Sequence, residues 1–285
     1  MKVRTVVKWL TIRIALLTLF VVVGLFLLYW LAPRPELQNY IPYSTAYFDN
    51  DNRLLRLSLA TDDRYRLHEA LDEIAPSMIH ATILYEDQDY YEHGGVDVFA
   101  LFRAAWDTYV LGGRRIGAST ITMQVARLRW GIPSRKLSGK LYQIARAIQL
   151  SRHYSKKEIL EAYLNLAPYG RNIEGVAAAS LIYFNKRPSQ LSLPEALTLA
   201  IIPQNPNKRN PTSLTTSTDF FTVRERLFER WLEHYPQDVS RANQLELPLA
   251  FGKPEDLPFL APHFVDYMDR KRSQWDSGYV STSLN

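Results

Sequence analysis

Cysteine is absent from this 285-residue chain, which removes disulfide staples, thiolate nucleophiles and cysteine-based zinc sites together. Histidine is sparse: His68, His80, His93, His153, His234 and His263 are scattered, and no two form a His-x-x-x-His pair. A zinc hydrolase built on that motif is therefore excluded. No internal repeat is present, so solenoid and propeller architectures drop out. Acidic residues are missing from two stretches, the first thirteen residues and the 44 residues from Arg114 to Lys157, and both gaps carry information.

The first gap holds Lys2, Arg4, Lys8 and Arg13, four of the five net positive charges of the chain. A basic composition that would suggest nucleic-acid binding is thus mostly a property of one end. Behind it, Ile14 to Ala32 runs nineteen residues with no charge. As a helix this segment is about 28 Å long, which matches the ~30 Å hydrocarbon core of a bilayer. It exceeds a signal-peptide h-region, and no small-x-small cleavage site follows before Arg34. We expect a retained single-pass anchor in the cell inner membrane, with Tyr29 and Trp30 at one interface. The basic flank predicts a cytoplasmic N-terminus and a periplasmic remainder.

The rest of the chain is rich enough in apolar residues (47% overall) to bury a core. Residues 33–66 read as a juxtamembrane connector, with prolines that discourage helix and an Asp-Asn turn between apolar segments that predicts a β-hairpin. From Leu67 to Pro203 the pattern is helical. Ser155 with Glu158 and Ser192 with Glu195 fit capping boxes; helices are expected after Ser119 or Thr120, over Leu137 to Arg152, over Val96 to Gly112 and from Phe220 to Tyr235. The fold class is mainly α. The divisions are a basic N-terminus (1–13), an anchor (14–32), a connector (33–66), a helical domain (67–211) and a C-terminal helix with a remnant linker (212–285).

Chemistry concentrates in three places. In YEDQDYYEHGG, Glu86, Asp87, Asp89 and Glu92 crowd among tyrosines, an arrangement that raises carboxylate pKa values and suits a general base as well as an ordinary polar junction. The second acid-free gap holds eleven Lys or Arg residues, read either as a site for an anionic ligand or as a solvated basic face. Between them, Gly117 permits close approach and Ser119 or Thr120 can cap a helix whose free N–H groups favour an anion.

The order of these elements resembles the family 51 peptidoglycan glycosyltransferases, the transglycosylase domain of class A penicillin-binding proteins. The first family motif falls on Glu86, Asp87, Tyr90, His93, Gly95 and Asp97. The second falls on Gly117, Ser119, Thr120, Ile121, Thr122 and Gln124, with Met123 and Arg127 as substitutions. The Arg-Lys pair falls on Arg135 and Lys136, and the Glu-Ile-Leu-Glu-x-Tyr-Leu-Asn block on Glu158 to Asn165. The resemblance implies a lysozyme-like, bilobed helical domain that polymerises lipid II. The 4-hydroxyl of an acceptor GlcNAc attacks C1 of the donor MurNAc with inversion, and undecaprenyl pyrophosphate leaves. It implies Glu86 as the base, with Asp87, His93, Ser119, Thr120, Gln124, Arg127, Arg135, Lys136 and Lys140 at the substrate. Gly117, Glu161 and Asn165 are expected to be structural, and His93 to fix the loop that carries Glu86. The segment Phe99 to Leu111 either dips into the outer leaflet or packs in the core.

Two departures from the family stand out. The second glutamate expected three residues after the Arg-Lys pair is Gly139, followed by Lys140; a divalent cation (Mg2+ or Mn2+) or Lys140 is then a candidate to assist at the pyrophosphate, with no metal ligands assigned. The chain also has neither Ser-x-x-Lys nor Lys-Thr-Gly, so no transpeptidase is expected, and it reads as a monofunctional enzyme or a truncated relative. Gly139 supports one alternative: a catalytically weak scaffold that binds lipid II or nascent glycan and recruits cell-wall synthesis proteins. A lytic enzyme and a nucleic-acid binder are disfavoured, the first because hydrolysis needs no site for an anionic leaving group. The second is disfavoured because the anchor puts the basic run outside the cytoplasm. No organic cofactor is expected.

Overall fold

The computed structural model describes residues 2–109, 111, 119–134, 136–211, 218–246, 249–271 and 278–284. The chain divides into two units, Met1–Glu36 and Leu37–Asn285. In the first, helix α1 (Lys2–Leu31) runs unbroken through the basic flank and the apolar stretch. Proline is absent before Pro33, and the Thr18 hydroxyl returns to the Ile14 carbonyl at 2.9 Å, so no polar group interrupts the ladder. Within it, Ile12–Leu31 is long and apolar enough to cross a membrane, with a mean hydropathy of 2.7.

The second unit begins with the expected hairpin, β1 (Thr45–Phe48) antiparallel to β2 (Leu54–Leu57), with Ala46 opposite Leu57. Asp49 builds the turn, its Oδ1 accepting from the backbone N–H groups of Asp51 and Arg53 at 2.9 and 2.8 Å. Then come α2 (Pro76–Glu86), started by a proline in its first turn, and α3 (Val98–Tyr109). Next are α4 (Ile121–Trp130), α5 (Leu137–His153) and α6 (Lys156–Leu166). A small hairpin, β3 (Pro168–Gly170) with β4 (Ile173–Glu174), leads to α7 (Val176–Phe184) and α8 (Leu193–Ile201). The remaining elements are α9 (Thr218–His234), α10 (Ala242–Glu246), α11 (Pro262–Lys271) and β5 (Gly278–Ser281).

The helices pack as their sequences dictate. VAAASLIYF in α7 and LPEALTLAI in α8 have no polar face, and both are buried throughout apart from the intermediate Phe184. They form one core with Leu67, Met78, Ile121, Val125, Leu160 and Leu164. Both capping boxes are formed: the Glu158 carboxylate accepts from Ser155 N–H at 2.7 Å and that of Glu195 from Ser192 N–H at 2.8 Å. Helix α4 packs on α5 and α6, and α2 packs on α8 and α9.

Two features differ from the sequence reading or decide between its alternatives. The C-terminal region is not a trailing linker, because β5 pairs in parallel with β1 (Ala46 opposite Tyr279) and makes the connector hairpin three-stranded. Helix α11 closes the same module: Val265 is buried with Tyr47 and Leu55, and Arg56 pairs with Asp266 at 2.5 Å. For α3 the structure rejects the core alternative. Phe99 and Phe102 are 89% and 70% exposed, and Val98 and Trp106 are exposed with them. Gly112 and Gly113, the expected stop, lie outside the described residues.

Candidate active site

Glu86 is the last residue of α2. Its Oε2 accepts a hydrogen bond from Gln124 Nε2 of α4 at 2.7 Å, and its Oε1 is enclosed with no well-formed hydrogen bond among the described residues. Tyr163 of α6 and Tyr169 of β3 are buried beside it, and neither hydroxyl makes a well-formed hydrogen bond among the described residues. Burial pushes the Glu86 carboxyl above the usual carboxylate range. The Gln124 and Tyr163 hydrogen-bonding groups and the charges of Arg127 and Arg209 oppose that rise without cancelling it. In turn, burial and the charge on Glu86 drive the Tyr163 hydroxyl far above its ordinary pKa, so it stays a neutral donor. A shielded carboxylate with a raised pKa, next to cations, has the properties of a general base that works near neutrality.

Asp87 adjoins Glu86 in sequence but has a different task. With its side chain only 7% exposed, it pairs with His93 Nε2 at 2.9 Å through Oδ1 and accepts from Ile121 N–H at 2.9 Å through Oδ2. His93 in turn accepts from Gly95 N–H at 3.1 Å. Thr120 caps α4, accepting from Met123 N–H at 3.2 Å and donating to the Gly95 carbonyl at 2.6 Å. Asp87, His93 and Thr120 therefore lock the loop after α2 onto the start of α4. The donors of Ile121 and Met123, which the sequence offered to a ligand anion, are taken by the protein's own oxygens. Gly95, at φ +93°, lies so close to Ser151 that a Cβ would meet its Oγ at 1.7 Å.

The cations gather on α4 and α5. Lys140 Nζ donates to Ser119 Oγ at 2.5 Å, and burial together with nearby Arg127 holds the ammonium below its usual pKa. Gln143 Nε2 ties α5 to α4 through the Met123 carbonyl at 2.6 Å. Glu86, Gln124, Arg127, Lys140 and Ser119 thus form one cluster in which positive groups repel one another, an arrangement that an incoming anion relieves. Lys136, exposed, stands at the start of α5. Gly117 and Arg135 lie outside the described residues. Glu161 and Asn165 face elsewhere: Glu161 accepts from Leu71 N–H at 3.0 Å, and Asn165 bonds both backbone groups of Glu69 at 2.8 Å.

Gly139 is buried, and a Cβ there would meet the Pro133 carbonyl oxygen at 2.3 Å. The position of the family's second glutamate is filled by backbone. The donor set does not suit a protein-held cation either: Asp87 is committed on both oxygens, and among the described residues no three His, Cys, Asp or Glu side chains gather to hold a metal.

Sequence reasoning overlooked Arg209, Gln204 and Tyr169 and gave Tyr163 no role. Arg209 follows Lys208 in a proline-rich stretch, which is a weak signal; the others have no local pattern that separates them from core or loop residues.

The Transglycosylase family model matches residues 51–229. Penicillin-binding protein 1C of Escherichia coli is 35% identical over 224 residues, which are 79% of this chain and 28% of that protein. The biosynthetic peptidoglycan transglycosylase of Marinomonas is 38% identical over 171 residues, 60% of this chain and 72% of that protein. Penicillin-binding protein 1A from Haemophilus influenzae, a solved structure, gives a TM-score of 0.41 at 18% identity, covering 81% of this chain and 24% of that one. The chain spans little more than a quarter of the penicillin-binding protein 1C that it matches. On the family match and the Marinomonas relative, the chain belongs to the transglycosylase family.

Proposed function

We propose that the protein is an inverting peptidoglycan glycosyltransferase that polymerises lipid II and releases undecaprenyl pyrophosphate. The observation that carries this reading is the buried Glu86 carboxylate, held by Gln124 next to Arg127 and the Ser119-bound Lys140. Glu86 accepts the proton from the 4-hydroxyl of the acceptor GlcNAc as the oxygen attacks C1 of the donor MurNAc. As the C1–O bond to the lipid breaks, negative charge grows on the pyrophosphate; Arg127 and Lys140, with Lys136 and Arg135, meet it. That attraction is stronger in the transition state than in the bound substrate, so it lowers the barrier. A divalent cation would have to arrive on the pyrophosphate, and no step is assigned to it.

The apolar helix α1 and the exposed aromatic face of α3 favour a single-pass inner-membrane protein whose catalytic unit lies at the periplasmic surface. There it would meet lipid II and the nascent strand, together with other cell-wall synthesis proteins. Gly139 favours the second reading, a scaffold that binds lipid II without polymerising it. Incubating the purified chain with labelled lipid II decides: long, moenomycin-sensitive strands support the enzyme, and binding without polymer supports the scaffold.

A further inference from the structure

The last turn of α2, which ends in Glu86, is held from outside by two arginines that come from residues far along the chain. Arg230 of α9 donates through Nη2 to the Leu84 carbonyl at 2.8 Å and to Gln88 Oε1 at 3.0 Å. Arg209, buried in the loop after α8, donates through Nη1 to the Tyr85 hydroxyl at 2.6 Å, to Gln204 Oε1 at 2.8 Å and to the Ile201 carbonyl at 3.0 Å. Tyr85 completes a triangle by donating to the same Gln204 oxygen at 2.6 Å. The residues at 84, 85 and 88 are thereby fixed on both sides of Glu86. Two guanidinium groups also sit at the helix end where unpaired carbonyls concentrate negative potential, the place where cations are most favourable.

We infer that Arg209 and Arg230 are positioning residues for the general base: they clamp the end of α2 so that the Glu86 carboxylate is presented in one orientation to the acceptor hydroxyl. This rests on the reading of Glu86 as the base. It also makes α9 part of the catalytic unit rather than an appendage to it. The groups facing Glu86 are Gln124 and Arg127 from α4, Tyr163 from α6, Tyr169 from β3 and Arg209 itself.

The test uses the purified full chain in detergent with fluorescent lipid II, comparing Arg230→Met, Arg209→Met, the two lysine variants and Glu86→Gln. A base shifted by about an ångström loses on the order of 10- to 100-fold in rate. The methionine variants should therefore lose kcat on that scale with KM within about twofold. Arg230→Lys, which still reaches one carbonyl, should recover part of the loss. Arg209→Met removes a positive charge near Glu86, so the acid limb of its pH profile should move to higher pH, a change that loosened packing alone does not produce. If the methionine variants keep the parental kcat while Glu86→Gln is dead, the clamp is refuted and the base assignment survives. A rise in KM at constant kcat refutes it too. If Glu86→Gln polymerises normally, the underlying reading fails first. Should a methionine variant not fold, as judged by circular dichroism, its lysine counterpart, which keeps the charge but not the full set of contacts, decides by kcat: a partial loss supports the clamp and a parental kcat counts against it.

Discussion

At Glu86 the same burial that serves chemistry works against stability. A carboxyl whose pKa is raised on folding is bound more tightly to its proton in the folded state than in the unfolded chain. Stability from this group is therefore full below the ordinary carboxylate pKa and is lost as pH rises through the raised value. Glu86→Gln keeps an oxygen for Gln124 and removes the charge. We expect it to melt higher than the parent at pH 7.5, with the difference vanishing near pH 4, while polymerisation falls by about 10²-fold or more. A variant that melts lower at neutral pH would contradict the burial argument. Because the charged form is the working one, the parent's kcat/KM should decline on acidification at a pH above the usual carboxylate range. Gly139 has the opposite character: Gly139→Glu, which restores the family residue, must displace the Pro133 carbonyl. It should cost about 1–3 kcal/mol in a denaturant titration and not raise the rate.

At the level of elements, the start of α4 matters most. Thr120 and Asp87 satisfy its first-turn donors and join it to the loop carrying Gly95. Thr120→Ala should cost about 1–2 kcal/mol, and Thr120→Ser should restore nearly all of it. Since Gln124 rides on the same helix, the alanine variant should also lower kcat, as measured by lipid II polymerisation. Helix α4 was legible in advance because its capping Thr120, the apolar pattern and the motif letters coincide at its start, whereas α2, which has no side-chain cap at Ala75, was covered only by the general helical pattern from Leu67 to Pro203. The arginine clamp was not legible: Arg209 and Arg230 contact residues 124 and 146 positions away, and no local periodicity encodes such a pairing.

Across the whole molecule, the connector and the C-terminus form one small module. Tyr47 bonds Asp269, Val265 fills the space against Leu55, and β5 lies along β1. Truncation after Leu260 should expose Tyr47 and Leu55, lower the melting temperature of the protein and open the 45–57 hairpin to limited proteolysis. Equal protease resistance in the shortened chain would refute this dependence.

From its sequence alone, the chain determined that it carries an apolar helix of membrane length, that the unit beyond it is helical, and that Glu86, Gln124, Arg127 and Lys140 belong to one motif set. The first two follow from composition and from 3.6-residue periodicity, which act over a few residues; the third follows from the resemblance to the family's motifs. The tertiary structure decided which carboxylate is buried beside cations and which is committed to holding a loop, that a side chain at position 139 would press on the Pro133 carbonyl, that α3 turns its aromatic face outward, and that the C-terminal residues complete the first sheet. Each of these depends on burial and on partners distant along the chain, because desolvation and close packing are properties of the assembled core and not of any stretch within it.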